Sequence, residues 1–248
     1  MPRGRTVVQQ EHYENDLLHG PAECVDCDHD DGDMPHGGRC RAVFERDRLR
    51  VSEVFTKEGV RVLHITFRDR TDEKGARNLV TGEHAVLYAG EIREWWENGQ
   101  PKRAGGFIES EKFDSSSYVD HQGYRRLFSA FVQVGPWSTY HDNGQLRTKV
   151  SYTNGLPNST FVHHAENGTV TARGTYAKGK KEGKWQYWHD NGLLLAEGLY
   201  RNDLLVGTWK IWGDTEDDRE PWVYEDIQEE WKQFWYTLKA HSWHLDDL

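Results

Sequence analysis

Trp137, Phe161, Trp185 and Trp209 stand at a constant interval of 24 residues, which restricts the chain to folds built from a repeated unit. The same step relates Tyr140, His164, Trp188 and Trp212, then the pairs Asn143-Gly144, Asn167-Gly168 and Asn191-Gly192, and finally Tyr152, Tyr176 and Tyr200. Each unit reads aromatic-x-x-aromatic-x-x-Asn-Gly, with a tyrosine eight residues after the glycine. Two strands of about 6–8 residues and two tight turns fill such a unit and leave nothing for a helix. Asn-Gly between aromatic runs predicts a type I′ turn, which needs φ > 0 at both central residues. A second turn is expected at Asn154-Gly155, Lys178-Gly179 and Asn202-Asp203.

The second strand of each unit alternates. Leu194, Ala196, Gly198 and Tyr200 are expected on one face, as are Val170, Ala172, Gly174 and Tyr176, with Arg173 and Glu197 on the other. One face is therefore packed and one wet. Small residues in mid-strand leave room for a Trp or Tyr ring from the neighbouring hairpin against the backbone, so Gly198→Val should overpack the stack.

Weaker copies extend upstream: Gly90, Trp95, Asn98-Gly99 and Phe107 fit the template, and Phe55, Glu58-Gly59 and Phe67 fit it loosely. Tyr13 to Gly20 parallels Tyr200 to Gly207, placing the start of the array near residue 10. The pattern divides the chain into divergent repeats over 1–89 with a Cys/His insertion at 21–40, regular repeats over 90–213 with an insertion at about 108–134, and an acidic C-terminal part, 214–248. There, Val223, Ile227, Trp231, Phe234, Trp235 and Leu238 have helical spacing after Pro221, which predicts one helix over 223–240 capping the last repeat or receiving a partner. The fold class expected is all-β, an elongated solenoid of stacked hairpins with a C-terminal capping α-helix.

Charge narrows the partners. The chain carries 41 acidic and 31 basic residues, a net charge of −10, which opposes attraction to nucleic acid or anionic lipid and favours a basic protein. Residues 214–248 hold 11 acidic side chains against 3 basic ones, so Asp217, Asp218, Glu225 and Glu229, with Trp231 and Trp235, are the candidate partner-binding residues; the alternative is simply the wet face of a helix. No run approaches 18 apolar residues, and three cysteines within 24–40 cannot all pair. Both points lead us to expect a cytoplasmic protein.

The units Gly135-Pro136-Trp137-Ser138-Thr139-Tyr140-His141-Asp142-Asn143-Gly144 and Gly183 to Gly192 resemble the MORN-repeat variant through Gly-x-Trp-x-x-Tyr/Trp-x-x-Asn-Gly. Arrays of this variant are similar to the YwqK-type antitoxin family. That resemblance implies an antitoxin or immunity protein that neutralises a toxic effector without catalysis. Other MORN-like arrays are similar to scaffold or membrane-surface adaptor modules, a role that basic exposed stripes would favour.

One cluster suggests chemistry of its own. Cys24, Cys27, His36 and Cys40, with His29 in reserve, form a Cys3His set suited to structural Zn²⁺; the alternative is an acidic loop with reduced thiols. The aspartates around it lack the spacing of an EF-hand. His141-Asp142 and His189-Asp190 read as solvated turn residues rather than dyads, since neighbours on a strand point to opposite faces. No nucleophile elbow, phosphate loop or His-Glu-x-x-His motif occurs, so we expect no enzyme.

Overall fold

The computed structural model describes residues 7–10, 13–14, 17–27, 38–46, 48–69, 88–109, 131–215 and 220–225. These are β-strands and turns throughout, and they fall into two compact units, 1–135 and 136–248.

The first unit contains β1 (Val7–Gln10), β2 (Tyr13–Glu14), β3 (Leu17–Leu18), β4 (Gly20–Cys27), β5 (Gly38–Glu45), β6 (Arg48–Phe55), β7 (Arg61–Asp69), β8 (Tyr88–Trp95), β9 (Pro101–Glu109) and the start of β10 (Phe131–Tyr140). Its sheet order is β1-β4-β5-β6-β7-β8-β9-β10, with β2 and β3 paired separately. Tyr13 faces Leu18 and Glu14 faces Leu17, the register in which Tyr200 faces Leu205 and Arg201 faces Leu204. The likeness between those two segments thus extends to their pairing. Leu63, Ile65, Phe67, Ile92 and Phe107 form the buried side. Phe107 lies against Gly90, where an added Cβ would come within 2.9 Å of its ring. Residues 21–27 and 38–40 of the expected insertion are strand, in β4 and β5.

The second unit continues with β11 (Leu146–Thr153), β12 (Leu156–Pro157), β13 (Thr160–His164), β14 (Val170–Ala177), β15 (Lys180–Trp188), β16 (Leu194–Arg201), β17 (Leu204–Ile211) and β18 (Trp222–Tyr224). Its order is β10-β11-β13-β14-β15-β16-β17-β18, and β12 pairs only with β11. From β11 onward every neighbouring pair is antiparallel. This is the stacked-hairpin arrangement the period predicts.

The packing unit is a tryptophan laid over a glycine. A Cβ on Gly174 would sit 2.1 Å from the Trp185 ring, and one on Gly198 would sit 2.1 Å from the Trp209 ring. Gly183 and Gly207, at φ +71° and +64°, supply the left-handed kink that turns each strand inward two residues before its tryptophan. Each indole N–H then donates to a backbone carbonyl of the strand it covers, Trp185 to Thr175 at 3.2 Å and Trp209 to Leu199 at 3.1 Å. The tyrosines meet these rings edge-on: Tyr176 with Trp185 at 5.1 Å and Tyr200 with Trp209 at 5.1 Å. Both tryptophans are fully buried, whereas Tyr152, Tyr176 and Tyr200 are half-buried.

Two expectations need correction. Asn-Gly does not form a two-residue type I′ turn: His141 N–H donates to Gln145 O and Gly144 N–H to His141 O, closing a three-residue loop in which only Gly144 has positive φ. The asparagine stays on the ordinary side of φ because its Oδ1 accepts from the N–H two residues on, as Asn143 does from Gln145. The type I′ geometry occurs at the opposite turns, where Asn154, Gly155, Lys178, Gly179, Asn202 and Asp203 all have positive φ. The second correction concerns the onset of the C-terminal helix: Val223 is in β18 and faces Lys210, so the chain there extends the sheet along Trp209–Ile211. A strand satisfies the edge N–H and C=O groups that a helix would only shield. Residues 226–240 of that expected helix lie outside the described residues.

Candidate interaction surfaces

Along the Asn-Gly edge of the second unit, side chains tie each turn to the next. Asn143, Asn167 and Asn191 donate through Nδ2 to the carbonyls of Glu166, Asp190 and Asp214 at 2.8, 3.3 and 2.8 Å. His141 and His189 make the same step, donating through Nε2 to His164 O and Trp212 O at 2.8 and 3.3 Å. His189 is only 8% exposed, so it is a buried strut and not the solvated turn residue the sequence suggests. Its neighbour Asp190 is exposed. The outcome is a fixed column of exposed carboxylates, one per turn: Asp142, Glu166, Asp190 and Asp214.

The wet face carries the opposite sign. Cross-strand partners share a face, and the register aligns Lys149, Val162, Arg173, Gln186, Glu197, Lys210 and Val223 in one row across the sheet. Lys149, Arg173 and Lys210 are exposed and form no salt bridge among the described residues. Glu197 is committed within the face: Lys184 Nζ lies 2.8 Å and Gln186 Nε2 3.0 Å from its carboxylate, and the Lys184 hydrogen bond holds its pKa below the ordinary carboxylate value. Leu199, 46% exposed, faces Val206 beside the row.

Behind that face, Lys181 occupies a cage of aromatic rings. Its Nζ lies 4.6 Å from the Trp185 centroid, 5.3 Å from Tyr200 and 5.6 Å from Tyr187, and it donates to Tyr187 Oη at 3.2 Å. Burial pushes its pKa below the usual lysine value, with Asp203 pulling the other way. Pro157 and Leu205 stand 24 residues to either side, so this lysine fills a slot that is otherwise apolar. Its own ring contacts occupy it, and we assign it a structural part.

In the first unit a cluster of charge surrounds Glu53. His64 Nδ1 lies 3.0 Å, Arg61 Nη1 3.1 Å and Arg41 Nη1 3.4 Å from its carboxylate. Burial raises its pKa, but the hydrogen bonds from His64 and Arg61 outweigh it and leave the group below the ordinary value. Such a compensated carboxylate reads as an internal tie, since each of its neighbours stabilises the charge it already holds.

The metal candidates are only partly placed. Cys24 and Cys27 lie in β4, where Cys24 faces Cys40 and Cys27 faces Gly38. Cys40 is a buried free thiol, 2% exposed. His29 and His36 lie outside the described residues, and among the described residues no three His, Cys, Asp or Glu side chains converge. Of the candidate partner-binding residues, Glu225 is exposed; Asp217, Asp218, Glu229, Trp231 and Trp235 lie outside the described residues. The ladder and the basic row were not foreseen, although the 24-residue recurrence of Asp142, Glu166, Asp190 and Asp214 was there to read. Among the described residues no helix is long and apolar enough to cross a membrane.

Comparison with known families agrees with this architecture. The MORN repeat variant matches residues 133–154 and 181–202, each spanning an Asn-Gly loop and the strands beside it. These two segments therefore carry the MORN repeat variant, a repeat that suggests a module binding proteins or membranes. No curated protein matches it.

Proposed function

We propose that this chain is a non-enzymatic protein-binding module of the antitoxin or immunity type, which neutralises a basic toxic effector by covering it. The observation that carries this reading is the carboxylate column Asp142, Glu166, Asp190 and Asp214, held at fixed spacing by the asparagine ladder. Regularly spaced, exposed charge on a rigid edge steers and orients an oppositely charged protein. The net charge of −10 and the acidic residues of 214–248 add to the same field. The test is affinity capture of the tagged chain from its host, followed by expression of the captured protein alone. A basic protein that is toxic by itself, silenced by co-expression of this chain and released by the variant D142N/E166Q/D190N/D214N, is the expected result. Recovery of only neutral or acidic partners, or an unchanged complex with the variant, would refute it.

A second reading, a scaffold that bridges two partners, is favoured by one further observation. The unit that carries the acidic column on its edge carries a basic row on its face. Such a scaffold would hold both partners at once in size-exclusion chromatography, whereas an occluding antitoxin would form one binary complex.

A further inference from the structure

We infer that the basic row on the wet face of the second unit is a docking surface for an extended acidic segment of a protein, laid across the strands. The inference rests on the reading of the chain as a protein-binding module, but it uses a surface distinct from the carboxylate column.

Cations recur along the row at Lys149, Arg173 and Lys210, all exposed and outside any salt bridge among the described residues. Glu197 faces Lys210 across the strands but is also bonded to Lys184 and Gln186, so its single charge is shared between two lysines. The surplus positive charge on this face therefore awaits a partner from outside. Neighbouring strands are about 4.8 Å apart, so the row from β11 to β18 runs about 29 Å, the reach of an extended segment of about nine residues. The cations fall about 10 and 14 Å apart along that line, which matches carboxylates every third or fourth residue. Leu199 and Val206, facing each other beside the row, offer apolar contact to the residues between.

The geometry also separates a narrow protein segment from broader polyanions. An anionic bilayer is wide, and laid on this face it would also approach the exposed carboxylates Asp142, Glu166, Asp190 and Asp214 along the edge. A nucleic acid would in addition meet the repulsion of a chain with net charge −10. An acidic segment confined to the row avoids most of that cost.

The probe is a fluorescently labelled twelve-residue peptide with Glu at every third position and Leu and Thr between, titrated by anisotropy into the full chain at low and at high salt. Binding that weakens with salt and falls about tenfold or more in K149E/R173E/K210E is expected. These side chains are exposed, so the melting temperature should stay near that of the parent; the neutral set K149Q/R173Q/K210Q gives the same comparison with a smaller drop. Unchanged affinity in both variant sets would overturn the inference. So would equal or tighter binding of single-stranded DNA or of phosphatidylserine vesicles, or row-dependent self-association, which would assign the face to a second copy. The variant D142N/E166Q/D190N/D214N should leave peptide binding intact, which keeps this result separable from the fate of the effector reading.

Discussion

Gly198→Ala isolates the contact on which the repeat depends. An added Cβ would lie 2.1 Å from Trp209 Cδ2 and 2.2 Å from Cε2, so the ring would have to retreat by about 1.5 Å to reach an ordinary carbon–carbon separation. Retreat is opposed on three sides. Trp209 is fully buried, its indole N–H is bonded to Leu199 O at 3.1 Å, and Tyr200 meets it edge-on at 5.1 Å. Overpacking costs about 1–3 kcal/mol and loss of the indole hydrogen bond about 1 kcal/mol, so a loss of about 2–4 kcal/mol is expected. Backbone propensity alone predicts the reverse sign, since Ala in a strand is favoured over Gly by about 0.5–1 kcal/mol, and Gly198 has no left-handed φ to preserve. Urea denaturation followed by tryptophan fluorescence and circular dichroism measures the difference. Gly198→Ala combined with Trp209→Leu should recover part of the loss, as a double-mutant cycle requires of residues in contact. An alanine variant as stable as the parent would refute the reasoning, because the ring could not then be where the packing argument needs it.

Asn191→Ala removes both the bond its Oδ1 accepts from Leu193 N–H and the one its Nδ2 donates to Asp214 O; a loss of about 1–2 kcal/mol is expected in thermal melts, and Asn191→Asp should not recover it, because its second carboxylate oxygen would face the Asp214 carbonyl that Nδ2 bonds. Lys178, at φ +52°, should be improved by Asn, which tolerates that conformation, with a gain of about 1 kcal/mol in the same assay. Burial, followed by the charges of Asp203, Tyr152 and Tyr200, pushes the Tyr176 pKa up to about 12, and burial also raises Tyr187 and Tyr200. These phenols favour the fold while protonated, so that stabilisation is complete below the unfolded value near 10 and is lost as pH rises through the folded values. An absorbance titration at 295 nm should therefore show a late tyrosine phase coincident with unfolding, and Tyr176→Phe should reduce it. His189→Ala should cost only about 1 kcal/mol, because Ala165 already stands at the equivalent turn position.

What was legible follows from what repeats. Trp185, Gly198 and Tyr200 recur at fixed offsets, so their contacts are dictated in every copy, and the small mid-strand residues foretold the ring above them. Turn chemistry was harder, because Asn-Gly suits two geometries. The choice between them lies in where the asparagine side chain finds its partners, two residues on and in the next turn. Bulges were invisible for a different reason. Leu195 is 1% exposed where strict alternation puts it on the wet face, because the pairing slips between Trp188–Leu194 and Tyr187–Ala196. The equivalent positions hold Arg147 and Thr171, so no recurrence signals that burial. Val223 misled because a helical spacing and a short edge strand both place apolar residues near one another.

The same division decides where function can reside. The inner face is saturated: Trp185 alone is stacked or edge-on with Phe161, Tyr176, Tyr187 and Tyr200 and lies against Gly174. A change there is felt by two neighbouring hairpins at once, so packing holds those positions to a narrow set of residues. On the wet face, by contrast, the row on successive strands varies between equivalent repeats: Lys149, Arg173 and Glu197 in one set, Val162, Gln186 and Lys210 in the other. Positions that the fold leaves free are those at which a partner can set the choice, and their charges point to what that partner must carry. Exchanging Trp185 should therefore abolish folding and binding together, whereas exchanging Lys149 or Arg173 should change binding alone. A surface variant that lost stability as steeply as a tryptophan variant would show that the two faces are not independent.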